Sequence, residues 1–264
     1  MMIYQLNNRS LIKISGSDAQ TFLQGQLSND INRIDCQSVQ INAYCQHQGK
    51  IIGLLWVFKK SDDFYLSLPI EISELIIARL KMFRLMSDVN IEDVTNVFNQ
   101  YGTIDDDKSL KIKNNIGLLV SEHTVDASSE TSFWELECIR NNLPEIYQFN
   151  QEKFIPQMLN LDIDEFGVSF TKGCYPGQEV VARMHYLGKA KRRLYSMKSS
   201  AILNVGDQFY TPRSTSLKPT GEVLRSVSID NITYFQAVFE TDKIGEKTLL
   251  GSSNGAEVFI ELNE

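Results

Sequence analysis

The chain has few of the residues that staple or punctuate small folds: four cysteines, six prolines and three histidines among 264 residues. Cys36, Cys45, Cys138 and Cys174 are irregularly spaced and never form a C-x-x-C pair. That spacing supports neither a disulfide framework nor a structural zinc site. Cys45-Gln46-His47 offers two neighbouring metal ligands, but no second pair follows at metal spacing. A buried thiol beside a loop histidine is the simpler reading, and no metal site is expected. His123 and His185 stand alone. No apolar run reaches the roughly 18 residues of a membrane span. Met1 to Ser10 is polar and lacks the basic-then-apolar layout of a secretory signal, so a cytoplasmic protein with no membrane partner is expected. Positive charge is also scarce: a net charge of −7 argues against a chain whose main task is gripping a phosphate backbone.

What is present is an ordinary globular composition, 42% hydrophobic and 22% charged, on a length sufficient for one to three compact units. Ser17-Asp18-Ala19-Gln20 has the S-x-x-Q form of a capping box, which predicts a short helix carrying Ala19, Phe22 and Leu23 after a strand at Leu11 to Ile14. Gln24 to Asp30 then reads as a surface loop. Val39 to Tyr44, Ile51 to Phe58 and Phe64 to Leu68 read as strands. After Pro69, the residues Ile72, Leu75, Ile76, Leu80 and Phe83 mark one face of a helix, with glutamates early and basic residues late. Val89 to Val94 and Val97 to Tyr101 are the next strands, so strand, helix, strand suggests a split βαβ unit. Asp105-Asp106-Asp107 reads as a solvated turn, and Trp134 to Arg140 as a helix closed by Pro144. From Lys191 the chain turns to short strands, with Asp230-Asn231 a good hairpin signal. Periodicity alone therefore gives an α+β chain with an all-β C-terminal part.

The stretch with most chemical content is Lys172-Gly173-Cys174-Tyr175-Pro176-Gly177-Gln178-Glu179. Pro176 and Gly177 suit the second and third positions of a type II turn, so Tyr175 to Gln178 should reverse direction. Val180, Met184 and Leu187 then predict a short helix opening at Gly177. A thiol near a helix N-terminus and an ammonium favours the thiolate, the reactive form. Cys174 is the candidate reactive thiol, with Lys172 lowering its pKa or meeting an anion. Gly173, Tyr175 and Gly177 form the turn, and Gln178, Glu179 and Arg183 are its ordering residues.

This octapeptide resembles the signature of the YgfZ family of folate-binding proteins, relatives of the glycine-cleavage T-protein (aminomethyltransferase) that support iron–sulfur enzymes and tRNA modification. Phe154-Ile155-Pro156-Gln157, Asn160-Leu161 and Gly167-Val168-Ser169-Phe170 lead into it as in that family, and Glu179 to Arg183, Gly188 and Lys191 to Leu194 follow. Ile14 to Ala19, Phe22 to Leu27 and Asp30 resemble the family's opening segment. The resemblance implies an α+β, three-part T-protein-like ring: a Greek-key β domain, a ferredoxin-like domain and a C-terminal antiparallel β-barrel. Residues 1–190 would form the folate-binding region and 191–264 the barrel. It implies tetrahydrofolate or a derivative as cofactor, with Trp134, Gln178, Glu179 and Arg183 as cofactor-binding residues. Trp134 would either stack on the pterin or pack as a core residue of its helix.

The resemblance has departures. Where the T-protein pattern carries carboxylates, this chain has Gly53 and Leu54, which removes the polar group an aminomethyl transfer needs. Sulfur handling needs a thiol and folate transfer does not, so a folate-binding accessory factor for iron–sulfur proteins is favoured over a transferase or a plain interaction module. A family tryptophan falls at Arg9, where the guanidinium would instead meet a carboxylate. A usual glycine is Asn142. Arg183, Lys189, Lys191, Arg192 and Arg193 form a basic island. It reads either as a charged strand edge or as a contact for an anion such as a folate glutamate tail or a tRNA phosphate.

Overall fold

The computed structural model describes residues 1–212 and 218–263; the remainder of the expected 191–264 region, 213–217 and 264, lies outside the described residues. The chain opens with strands β1 (Met2–Gln5) and β2 (Arg9–Ser15) and helix α1 (Ala19–Gln26). It continues through β3 (Gln40–Cys45), β4 (Ile51–Lys60), β5 (Asp63–Pro69), α2 (Ile70–Arg84) and β6 (Asn90–Asp93). Next come β7 (Asn99–Ile104), β8 (Leu110–Lys113), β9 (Ile116–Ser121), α3 (Ser132–Arg140) and α4 (Gln178–Leu187). The last part holds β10 (Arg192–Ser199), β11 (Gln208–Tyr210), β12 (Gly221–Ile229), β13 (Ile232–Glu240), β14 (Thr248–Leu250), β15 (Glu257–Val258) and β16 (Glu261–Leu262).

Three sheets result. The five-stranded sheet runs β3-β4-β5-β2-β6. Because β5 and β6 are each antiparallel to β2, they are parallel to one another with β2 between them, and α2 is the crossover. That is the expected split βαβ unit. A four-stranded sheet, β1-β7-β9-β8, joins the N-terminal strand to the 99–121 region. The third sheet runs β15-β14-β11-β12-β13-β10-β16. Its two edge strands are consecutive in sequence, Val258 to Glu261 being a span of at most about 11 Å, so the sheet curls back on itself as a barrel. Asp230 and Asn231 at its central hairpin both take positive φ, 51° and 62°, the geometry of a type I′ turn.

β4 lies between two cores. Leu54, Trp56 and Phe58 face the cluster shared with the four-stranded sheet, while Leu55 and Val57 face the cluster under α1 and α2. Both faces are buried, so the strand reads as an unbroken apolar run. A bulge opposite Tyr44 and Cys45 shifts the alternation, bringing Ile51 onto the Leu54 side and Ile52 onto the other. Gly53 lets α2 sit close, since a Cβ there would meet Ile72 Cδ1 at 3.1 Å.

Local expectations fail in instructive ways. No capping box forms at Ser17: its hydroxyl donates to Asp88 Oδ2 at 2.9 Å and Gln20 Nε2 donates to Asn32 Oδ1, while the N-cap Asp18 caps nothing, its Oδ2 accepting instead from Asp88 N–H at 2.8 Å. The core stripe of α2 is Ile72, Ile76 and Leu80, spaced i, i+4, i+8, while Leu75 and Phe83 are 46% and 41% exposed. The strand expected at Val97 to Tyr101 begins two residues later, with Val97 exposed. Leu27, Ser28 and Asn29, expected on the surface, are buried.

Candidate functional site

The cysteine motif folds as its residues suggest. Gly177 has φ 84° and ψ −1°, the third-position geometry of a type II turn, and caps α4. Gln178 N–H closes the turn on Tyr175 O at 3.2 Å. The turn docks on the β3–β4 loop: a Cβ on Gly177 would fall 2.5 Å from Gln46 O and 2.7 Å from Gly49 Cα. Gly49 has φ 78°, and a Cβ there would lie 3.1 Å from Val180 Cβ. Two glycines without Cβ atoms thus allow backbone-to-backbone contact. Tyr175 is buried beneath the turn, and burial raises its phenol pKa. Cys174 and Cys36 are exposed, whereas Cys45 and Cys138 are buried, their pKa values pushed up to about 12 by desolvation.

Lys172 has a different role from the expected thiol partner. Its Nζ donates to Gln24 O at 2.5 Å, Leu27 O at 2.6 Å and Asn29 O at 3.1 Å. An ammonium has three protons, and all three are committed. Burial pulls the pKa down to about 8, partly offset by Asp30. Lys172 is therefore a clamp that gathers the carbonyls at the end of α1 and fastens the motif to them. Nothing in the Gln24 to Asp30 composition signals this, because the partners are backbone atoms. Cys174 follows by two residues, so its Cα lies within about 7 Å of that of the clamp.

The same wall borders an opening between the five-stranded and four-stranded sheets. Two adjoining cavities of about 320 and 210 Å³ share Asp164 and Phe166. One is walled by Asn29, Arg33, Val39, Ile41, Ile112 and Glu165, the other by Lys113, Asn142, Asn160 and Ile163. β10 closes the third side indirectly: Asn160 Nδ2 donates to Leu194 O at 2.8 Å and Ser196 Oγ donates to Asn142 Oδ1 at 2.8 Å. Lys113 Nζ lies 4.5 Å from the centroid of Phe166 and makes no hydrogen bond among the described residues. Burial lowers its pKa, with Asp164 acting in the opposite sense. Asp164 and Glu165 both hold positive φ, 52° and 51°. Such conformations cost non-glycine residues about 1–2 kcal/mol each and cluster at functional sites. Arg33 connects opening and motif, pairing with Glu165 at 3.2 Å and reaching Thr171 Oγ1 at 3.5 Å.

Phe166, Lys113 and Asp164 carried no motif of their own in the sequence. Of the residues that were expected at a cofactor, none lines this opening. Trp134 is 2% exposed and packs on β7, where a Cβ on Gly102 would meet its ring at 2.5 Å, so its indole offers a flat ligand no free face. Gln178, Glu179 and Arg183 lie on α4 and make no side-chain hydrogen bond among the described residues, so they do not order the turn that way. Arg9 does meet a carboxylate, but a protein one: Nη1 pairs with Glu145 Oε2 at 2.5 Å, and the guanidinium stacks 3.6 Å over Trp56. Asn142 adopts φ 49°; asparagine is the residue that best tolerates the conformation glycine would supply. Arg192 and Arg193 are consumed by Glu240 and Asp162, leaving Arg183, Lys189 and Lys191 as the part of the basic island with no ion pair among the described residues. No cluster of three or more potential metal ligands occurs among the described residues.

The three sheets have a T-protein-like fold. The structure of the glycine cleavage system aminomethyltransferase T from Bartonella henselae superposes with a TM-score of 0.69 at 9% identity, covering 99% of this chain and 84% of that one. No family model matches the sequence. An uncharacterized protein of Haemophilus influenzae is 32% identical over 247 residues, covering 90% of this chain and 88% of its own. The tRNA-modifying protein YgfZ of Vibrio atlanticus is 28% identical over 81% of this chain and 75% of its own. That of an Enterobacter species is 28% identical over 88% and 82%. The chain belongs to the YgfZ family.

Proposed function

We propose that this protein is a cytoplasmic, folate-binding accessory factor for the assembly or repair of iron–sulfur clusters, and that it supports tRNA modification through the cluster enzymes performing it. The observation carrying this reading is the pairing of a ligand-sized opening with an exposed thiol on a turn clamped to the same wall. The opening's chemistry suits a folate. Phe166 presents an aromatic face to a flat pterin, Asp164 accepts from its N–H groups, and Lys113, half-buried with no hydrogen-bond partner among the described residues, meets the carboxylates of the glutamate tail. Bound tetrahydrofolate would supply a carrier of one-carbon units. The thiol side is the part presented to a client protein, and Lys172 contributes by holding the motif in place. The name carried by the YgfZ relatives supports the link to tRNA modification.

Against a transferase, Gly53 and Leu54 occupy β4 with their faces on α2 and the shared core, so no proton-exchanging group stands at those positions. The reading is tested in two arms. Tetrahydrofolate should bind in calorimetry, and Phe166→Ala or Lys113→Ala should weaken it about tenfold or more; unchanged binding would move folate out of the opening. Cys174→Ala should bind folate normally yet fail to restore iron–sulfur enzyme activity in a cell lacking the protein. Full rescue by that variant would end the thiol role.

A further inference from the structure

The outer face of α4 is largely exposed, and its charged side chains make no ion pair among the described residues. Val181 is its one fully buried residue, while Val180, Tyr186 and Leu187 are 38%, 66% and 83% exposed. Arg183, Tyr186 and Leu187, at i, i+3 and i+4, project from one side of the helix. Tyr186 is exposed yet held: its ring stands edge-on to His185 at 4.9 Å and to Phe170 at 6.1 Å, and these two stack on each other at 3.7 Å. Such an arrangement leaves a preorganised aromatic face open to solvent. Around it lie Arg183, Lys189 and Lys191, none with an ion pair among the described residues, whereas the neighbouring Arg192 and Arg193 are neutralised within the fold. Glu179 is the one acid on the face.

We infer that this face binds single-stranded RNA, a base stacking on Tyr186 and phosphates meeting Arg183, Lys189 and Lys191. Aromatic platforms flanked by cations recognise unpaired nucleotides because every base has a π-face and every linkage a charge. The overall net charge of −7 does not forbid it, since charges beyond about 8 Å are largely screened at physiological ionic strength. The site shares no residue with the folate opening, so either reading can fail without the other.

The probe is a fluorescein-labelled 12-nucleotide RNA of mixed sequence, followed by anisotropy with the full chain. Three phosphate contacts give log K against log[salt] a slope of about −2, a loss of roughly 15–20-fold between 50 and 200 mM salt. Arg183→Ala, Lys189→Ala and Lys191→Ala combined should flatten that slope. Tyr186→Ala should weaken binding at least about fivefold at unchanged slope, with Tyr186→Phe retaining it. Failure of saturable binding at 50 mM salt, indifference to Tyr186→Ala, or equal affinity for the duplex would overturn the inference. Equal competition by a polyglutamate peptide would assign the face to an acidic protein and overturn it as well.

Discussion

Lys172→Met separates a clamp from a thiol activator. Methionine keeps an unbranched stem but removes the three N–H donors that hold Gln24 O, Leu27 O and Asn29 O. Leu27 and Asn29 are buried, so their carbonyls lose partners without gaining water. Each unpaired buried acceptor costs about 1–3 kcal/mol, while removing a desolvated ammonium returns part of that. The expected net loss is about 3 kcal/mol, or a melting temperature lower by about 6–12 °C. The pH dependence carries a second test. Burial depresses the Lys172 pKa from 10.5 to about 8, so in that window the folded state binds fewer protons than the unfolded chain. The burial penalty on the charge is fully present below pH 8 and is relieved as pH rises toward 10.5. Stability of the native chain relative to Lys172→Met should therefore climb across the window, by less than about 1.4 kcal/mol per pH unit because the ammonium is partly screened by solvent. Paired denaturant melts from pH 7 to 10 measure the difference. Equal melting at neutral pH, or a difference that falls with pH, would refute the clamp.

Other consequences follow from burial and packing. Iodoacetamide on the native protein should modify two thiols, Cys36 and Cys174, and four after unfolding; mass spectrometry that finds Cys45 or Cys138 labelled first would contradict the packing. Gly177→Ala places a methyl 2.5 Å from Gln46 O at φ 84°. We expect a loss of at least about 2 kcal/mol and faster proteolysis of α4, both absent if the β3–β4 loop yields freely. Arg193→Ala strips Asp162, whose side chain is 9% exposed, of a two-point partner at 2.5 and 3.0 Å. A cost of about 3 kcal/mol is expected, and Asp162→Asn combined with it should recover part.

The motif's turn was legible because proline and glycine act on their own φ angles, and β-strand composition located the curled sheet. The split βαβ unit was legible from element order. Less was visible where one element's partner is remote in sequence. The Ser17 hydroxyl had a suitable local partner and still went to Asp88, seventy-one residues away. Trp134 was equally consistent with a ligand platform and a core residue until Gly102 was seen against its ring.

Local chemistry in the sequence determined the thiol on its turn, the helix it opens, and the strands of the split βαβ unit and of the C-terminal sheet, whereas the strands at Met2–Gln5, Leu110–Lys113 and Ile116–Ser121 carried no clear signal. Only the tertiary structure decided what Lys172 does and which groups face the opening. The physical reason is that a lysine's partners here are main-chain carbonyls, which every residue carries alike. The Phe166, Lys113 and Asp164 grouping exists only where one loop and an edge strand converge.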